Sequence, residues 1–110
     1  MVQYNYAQEK LYVAMRSLAT GQGDVRVRLV EAFMSFHTLK EDDFPPKYRE
    51  DWKWITTELM KHGPLYDYRG RVYKGSVENT MGKLKNNIRK KIATKIFDIG
   101  YDLITNETYL

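Results

Sequence analysis

The residues with the most chemical potential lie together in one short segment, Tyr66-Asp67-Tyr68-Arg69-Gly70-Arg71-Val72-Tyr73-Lys74. Aromatic rings alternate with cations around a glycine, a mixture that suits nucleic acid. Guanidinium and ammonium groups neutralise phosphates, and exposed tyrosines stack on unpaired bases. The same residue types dominate protein–protein contacts, and at the end of a bundle they equally pack on one another, arginine over tyrosine. The candidate contact residues here are Tyr66, Tyr68, Arg69, Arg71, Tyr73 and Lys74.

A second basic signal follows. Lys83, Lys85, Arg89, Lys90, Lys91 and Lys95 fall within thirteen residues that hold no acid. At helical pitch Lys83 and Lys90 lie opposite the apolar stripe, with Lys85 and Arg89 on one flank and Lys91 and Lys95 on the other. Such a helix can cradle a phosphate backbone, with Asn86 and Asn87 adding hydrogen bonds, although a merely solvated amphipathic helix has the same pattern. Lys83, Arg89 and Lys90 therefore join the candidate set. The net charge of +4 is confined to this half: residues 1–63 carry nine cations and nine acids, and residues 64–110 carry nine cations against five acids. An acidic partner, nucleic acid or an acidic protein surface, is the expectation that follows.

Catalytic chemistry finds much less to work with. There is no cysteine, which removes disulfides, thiolate metal sites and thiol nucleophiles together. The two histidines, His37 and His62, stand in no motif and read as surface or structural residues. Glu41, Asp42 and Asp43 are adjacent, without the spaced ligands and turn glycine of a calcium loop, so they read as a solvated linker in which Asp43 caps the next helix. No phosphate-binding glycine loop, nucleophile elbow or paired-histidine metal helix occurs. The expectation is a non-enzymatic protein with no cofactor and no metal.

The elements that must position these residues are helical. Tyr4, Ala7, Leu11, Ala14, Met15 and Leu18 predict a first helix from Tyr4 to about Thr20, ended by Gly21 in a left-handed conformation. Asp24 is placed to cap a second helix running to about Leu39, which buries Leu29, Val30, Phe33, Met34 and Phe36. A third begins near Pro46, presents Tyr48, Trp52, Ile55 and Leu59, and stops at Lys61-His62-Gly63-Pro64. Residues 65–75 read as an ordered loop or small hairpin. Ser76 then caps a long fourth helix whose stripe is Val77, Met81, Leu84, Ile88, Ile92, Ile96, Ile99 and Leu103, with fraying or a kink expected near Gly100 and loose chain after Thr105.

The fold class expected is all-α, a bundle of about four helices in a single domain over residues 1–110. A last helix longer than its neighbours leaves apolar surface for a second copy, so a homodimer through it is expected. Helices 1 and 2 superficially suggest a helix-turn-helix through Ser17, Gly21, Val27 and Val30. However, Thr20 and Gln22 stand where that motif buries aliphatic side chains, and the would-be recognition helix ends in apolar Phe33, Met34 and Phe36. The N-terminus lacks the basic start and apolar run of a signal peptide, and no stretch approaches the ~20 apolar residues of a membrane span. A cytoplasmic setting without membrane contact is expected. The functional expectation is a small helical binding or regulatory module that contacts a polyanion, most favourably nucleic acid. Its alternative is a protein-interaction module such as an adaptor or small inhibitor.

Overall fold

The first apolar stripe folds as α1 (Asn5–Thr20) in a computed structural model that describes residues 3–110. It buries Ala7, Leu11 and Ala14 against the rest of the chain. Gly21 ends it for want of space, not for a left-handed turn. Its backbone is extended, and a Cβ there would overlap the Ser17 carbonyl and come within 2.7 Å of Glu31 Oε2. The left-handed residue is Gly23, at a φ of 88°. Asp24 then caps α2 (Val25–Phe36), its Oδ1 accepting from the Arg26 amide at 2.9 Å and the Val27 amide at 3.4 Å. The Arg26 side chain, bonded to the other carboxylate oxygen at 2.6 Å, is the main cause that lowers the Asp24 pKa to about 2.

Helix α2 buries Leu29, Ala32 and Phe36 and ends three residues before Leu39, where the Leu39 amide bonds the Phe36 carbonyl. Met34, expected in the core, is 66% exposed. The stripe on Leu29, Ala32 and Phe36 faces inward, which turns Val27 and Met34, seven positions apart, toward solvent. Asp43 does not cap the next helix. Its carboxylate accepts from the Lys40 amide at 2.7 Å within a 3-10 turn, Glu41–Asp43. Helix α3 (Pro46–Leu59) starts on its proline, with Trp52 in the core between Phe44 and Phe36 at ring separations of 4.5 and 5.0 Å.

A two-stranded hairpin follows, β1 (Leu65–Tyr66) and β2 (Val72–Lys74), and then the expected long helix appears in two pieces. They are α4 (Ser76–Lys83) and α5 (Asn86–Thr105), separated by Leu84 and Lys85, both extended. Both pieces pack on α2 and α3, and only α5 reaches α1, which is its main neighbour. Gly82 makes α4 weaker just before the break. Gly75, not Ser76, occupies the cap position of α4, and it offers no side-chain bond. Helix α5 continues without a break through Gly100. The glycine is buried against α1, and a Cβ there would lie 2.6 Å from Met15 Sδ.

Helices α3 and α5 are joined by a ladder of polar contacts. Lys47 Nζ lies 3.2 Å from Asp102 Oδ2, Lys95 Nζ donates to Asp51 Oδ1 at 2.9 Å, and the Tyr48 hydroxyl donates to Asp102. The Tyr48 bond, then those from Asn106 and Lys47, hold the Asp102 carboxyl below the usual carboxylate range. Asp102 in turn raises the Lys47 pKa, and burial pushes the Tyr48 phenol up. The chain after Thr105, expected to be loose, is held in a second 3-10 turn, Glu107–Tyr109. Gln8 Nε2 donates at 2.9 Å to the carbonyls of Leu103 and Tyr109, and the Tyr109 ring meets Tyr4 edge-on. The architecture is all-α with one small hairpin, built around a single hydrophobic cluster. No helix among the described residues is long and apolar enough to cross a membrane.

Candidate binding surface

The hairpin owes its shape to Asp67 and Gly70. Asp67 Oδ1 accepts from the amides of Arg69 at 2.8 Å and Arg71 at 3.0 Å, while the Asp67 amide closes the loop on the Arg71 carbonyl at 2.8 Å. Gly70 takes a φ of 78°, which a residue with a Cβ rarely adopts, and its amide bonds the Asp67 carbonyl. These are the bonds of a short hairpin loop whose final residue is left-handed. In the ladder Leu65 faces Lys74 and Tyr66 faces Val72, so Tyr73 is the additional residue of a bulge. A segment with no helical stripe is thereby given a fixed backbone.

The three tyrosines of this hairpin stay in solvent. Tyr66 and Tyr73 are exposed, and Tyr68, at the tip, is 90% exposed with the Arg69 guanidinium 5.3 Å from its ring centre. A ring that buries nothing inside the fold keeps its whole stacking face for a partner. The cations are less free than the sequence suggests. Arg71 Nε lies 3.5 Å from Asp67 Oδ2, and Lys74 is half-buried.

The helical candidates divide similarly. Arg89 is half-buried and donates Nη1 to the Met81 carbonyl at 2.7 Å, across the α4–α5 break. Arg28 does the same for α1, bonding the Leu18 carbonyl at 2.9 Å, so both arginines satisfy carbonyls left open at a helix end. Lys91 and Lys95 lie 5.1 and 5.5 Å from the Trp54 ring centre. Lys83 and Lys90 are exposed, with no ion-pair partner among the described residues. The hairpin set is thus brought together by one loop. Arg89 and Lys90 stand beyond α4, whose eight residues span about 12 Å.

No protein-family model, no curated protein and no solved structure matches this chain. Its geometry alone must carry the functional reading.

Two surfaces escaped the sequence reading. One is an open valley of about 1000 Å³ along α1 and α2, whose lining includes Tyr12, Val13, Val27, Val30, Glu31 and Glu78. The other is the solvent side of α5, where Phe97 and Tyr101 stack at 5.9 Å. The available signal was apolar residues standing off the main stripes: Tyr12 and Val13 on α1, Val27 on α2, and Phe97 and Tyr101, four apart, on α5. His37 bonds the Met34 carbonyl through Nδ1, and His62 is exposed beyond α3. Among the described residues no group of three or more His, Asp or Glu side chains could hold a metal ion.

Proposed function

We propose that the protein is a non-enzymatic binding module whose recognition element is the 65–74 hairpin, with single-stranded nucleic acid as its favoured partner. The observation that carries this reading is the display of Tyr66, Tyr68 and Tyr73 in solvent on a backbone pinned by Asp67. A backbone held in place loses little entropy when bases stack on its tyrosines, and Arg69 beside Tyr68 supplies charge where a phosphate would pass. Lys83 and Lys90, unpaired on the following helices, extend the positive surface.

The decisive experiment is a fluorescence-anisotropy salt series with labelled single strands and duplexes. Wild type is compared with Tyr68→Ala and with Arg69→Ala/Arg71→Ala/Lys74→Ala combined. Loss of one stacking tyrosine should weaken single-strand binding by about fivefold to a hundredfold. Removal of three phosphate contacts should make the logarithmic salt slope shallower by about 2. A folded wild type that binds neither strand form at low salt would falsify the reading.

A second reading, binding to a protein, is favoured by the valley across α1 and α2 and by the internal pairing of Arg71 and Arg89. On that reading the hairpin tyrosines anchor a protein contact that depends only weakly on salt. We also propose self-association through α5; its apolar stripe is covered within one copy, so the support is the aromatic pair stacked on the solvent side.

A further inference from the structure

Helix α5 and its flanks are bipolar. From Lys83 to Lys95 there are six cations and no acid, while from Ile96 to Leu110 there are three acids, Asp98, Asp102 and Glu107, and no cation. Near the change of sign, Phe97 and Tyr101 lie stacked in solvent, 46% and 56% exposed, with ring planes 17° apart. They belong to a line, Lys90, Thr94, Phe97, Tyr101 and Thr105, that advances by threes and fours along the side opposite Ile92, Ile96, Ile99 and Leu103. Every residue of that line is exposed.

We infer that this line is an interface with a second copy of the chain, packed antiparallel. The inference rests on the self-association reading and adds its surface and direction. About a two-fold axis level with Ile99, Phe97 of one copy meets Tyr101 of the other, and the contact occurs twice by symmetry. Two stacked pairs become one cluster of four rings, which withdraws their exposed apolar faces from water.

Direction follows from charge. Lys90 lies nine residues before the midpoint, about 13 Å along the helix, and exposed Glu107 lies just past the opposite end, in the 3-10 turn that follows Thr105 six residues after the midpoint. Antiparallel packing therefore brings the Lys90 end of each copy beside the Glu107 end of the other. Parallel packing would set six cations against six. Lys91 and Lys95 are turned to Trp54 and Asp51, which leaves Lys90 as the cation on the contact line.

Sedimentation equilibrium in the absence of nucleic acid, from low micromolar to near-millimolar protein, tests the proposal. Wild type should reach the mass of a dimer. Phe97→Ala/Tyr101→Ala should weaken association by at least about tenfold while circular dichroism stays helical, because both rings are exposed. Lys90→Glu should also weaken it, and adding Glu107→Lys in the same chain should restore it. A monomeric mass over the whole range overturns the proposal, as does a dimer indifferent to loss of the two rings. Failure of the double charge exchange to restore association overturns the antiparallel direction. Tyr68→Ala should leave the mass unchanged, so failure of the hairpin reading and failure of this one remain separate results.

Discussion

Replacing Gly82 and Gly100 by alanine, one at a time, should move stability in different directions although both glycines sit inside helices at negative φ. Alanine gains up to about 1 kcal/mol over glycine in a helix interior. Nothing lies within 4 Å of a Cβ at Gly82, so that gain is kept, reduced toward about 0.5 kcal/mol because the position is close to the end of α4. At Gly100 the new Cβ would lie 2.6 Å from Met15 Sδ, 3.3 Å from Met15 Cγ and 3.4 Å from Leu11 Cβ. Met15 is half-buried between α1 and α5, and relieving such a contact costs about 1–3 kcal/mol. The result is a neutral outcome or a loss of up to about 2 kcal/mol. The two variants should therefore differ by roughly 0.5–2.5 kcal/mol, which at about 4 °C per kcal/mol is a spread of about 2–10 °C in Tm. Thermal and urea unfolding followed by circular dichroism read this directly. In a cycle with Met15→Ala, the combined loss should be smaller than the sum of the single losses, since removing the sulfur removes the clash. Equal stabilisation at both glycines would refute the reasoning, because α1 would then not approach α5 at Gly100.

Two further outcomes follow. Arg89→Ala should destabilise by about 1.5–3 kcal/mol in urea unfolding, as it removes a charged donor from the Met81 carbonyl at the α4–α5 break, whereas Lys83→Ala should change little; matching losses would return Arg89 to the list of free cations. Stability should also fall at both ends of the pH range. Asp24 and Asp102 have lowered values when folded, so their contribution is complete above the ordinary carboxylate range and is lost as pH drops through the folded values, about 2 for Asp24. Lys47 and Tyr48 are raised, so their contribution is present below their unfolded values and is lost as the solution becomes strongly alkaline. Asp102→Asn should flatten the acid limb of a stability-against-pH curve, and an acid limb parallel to the wild type's would count against this account.

The helices were legible wherever a stripe and a stop signal coincided. Helix α3 begins on Pro46, and Asp24 caps α2, because proline geometry and a short carboxylate act locally. The division between α4 and α5 was not legible. The stripe from Val77 to Leu103 keeps helical spacing through Leu84, so periodicity carries no mark of the break, which goes with the turn of α5 onto α1. Glycines misled for a related reason: Gly21 and Gly100 serve close approach, which depends on what packs there and not on the backbone angle. At the candidate site the sequence marked the hairpin residues but not the pairing of Arg71 with Asp67 or of Arg89 with Met81. Those bonds join the cations to groups four and eight positions away through turns that periodicity does not describe.

The bond from Gln8 to the Tyr109 carbonyl joins residues 101 positions apart, while the hairpin closes over a handful. Closing a loop costs entropy that rises by only about 0.6 kcal/mol for each doubling of its length, yet that cost precedes any reward from the contact. The Tyr4–Tyr109 and Gln8–Tyr109 contacts should accordingly form after α1 has settled on α5. Held by one hydrogen bond from Gln8 and an edge-on ring pair at the rim of the cluster, they should be among the first to open. Native-state hydrogen exchange should then find the amides of Tyr109 and Leu110 unprotected under conditions that leave those of Ile96 and Ile99 untouched. The segment would come away as a cooperative unit of its own, well before the helices part.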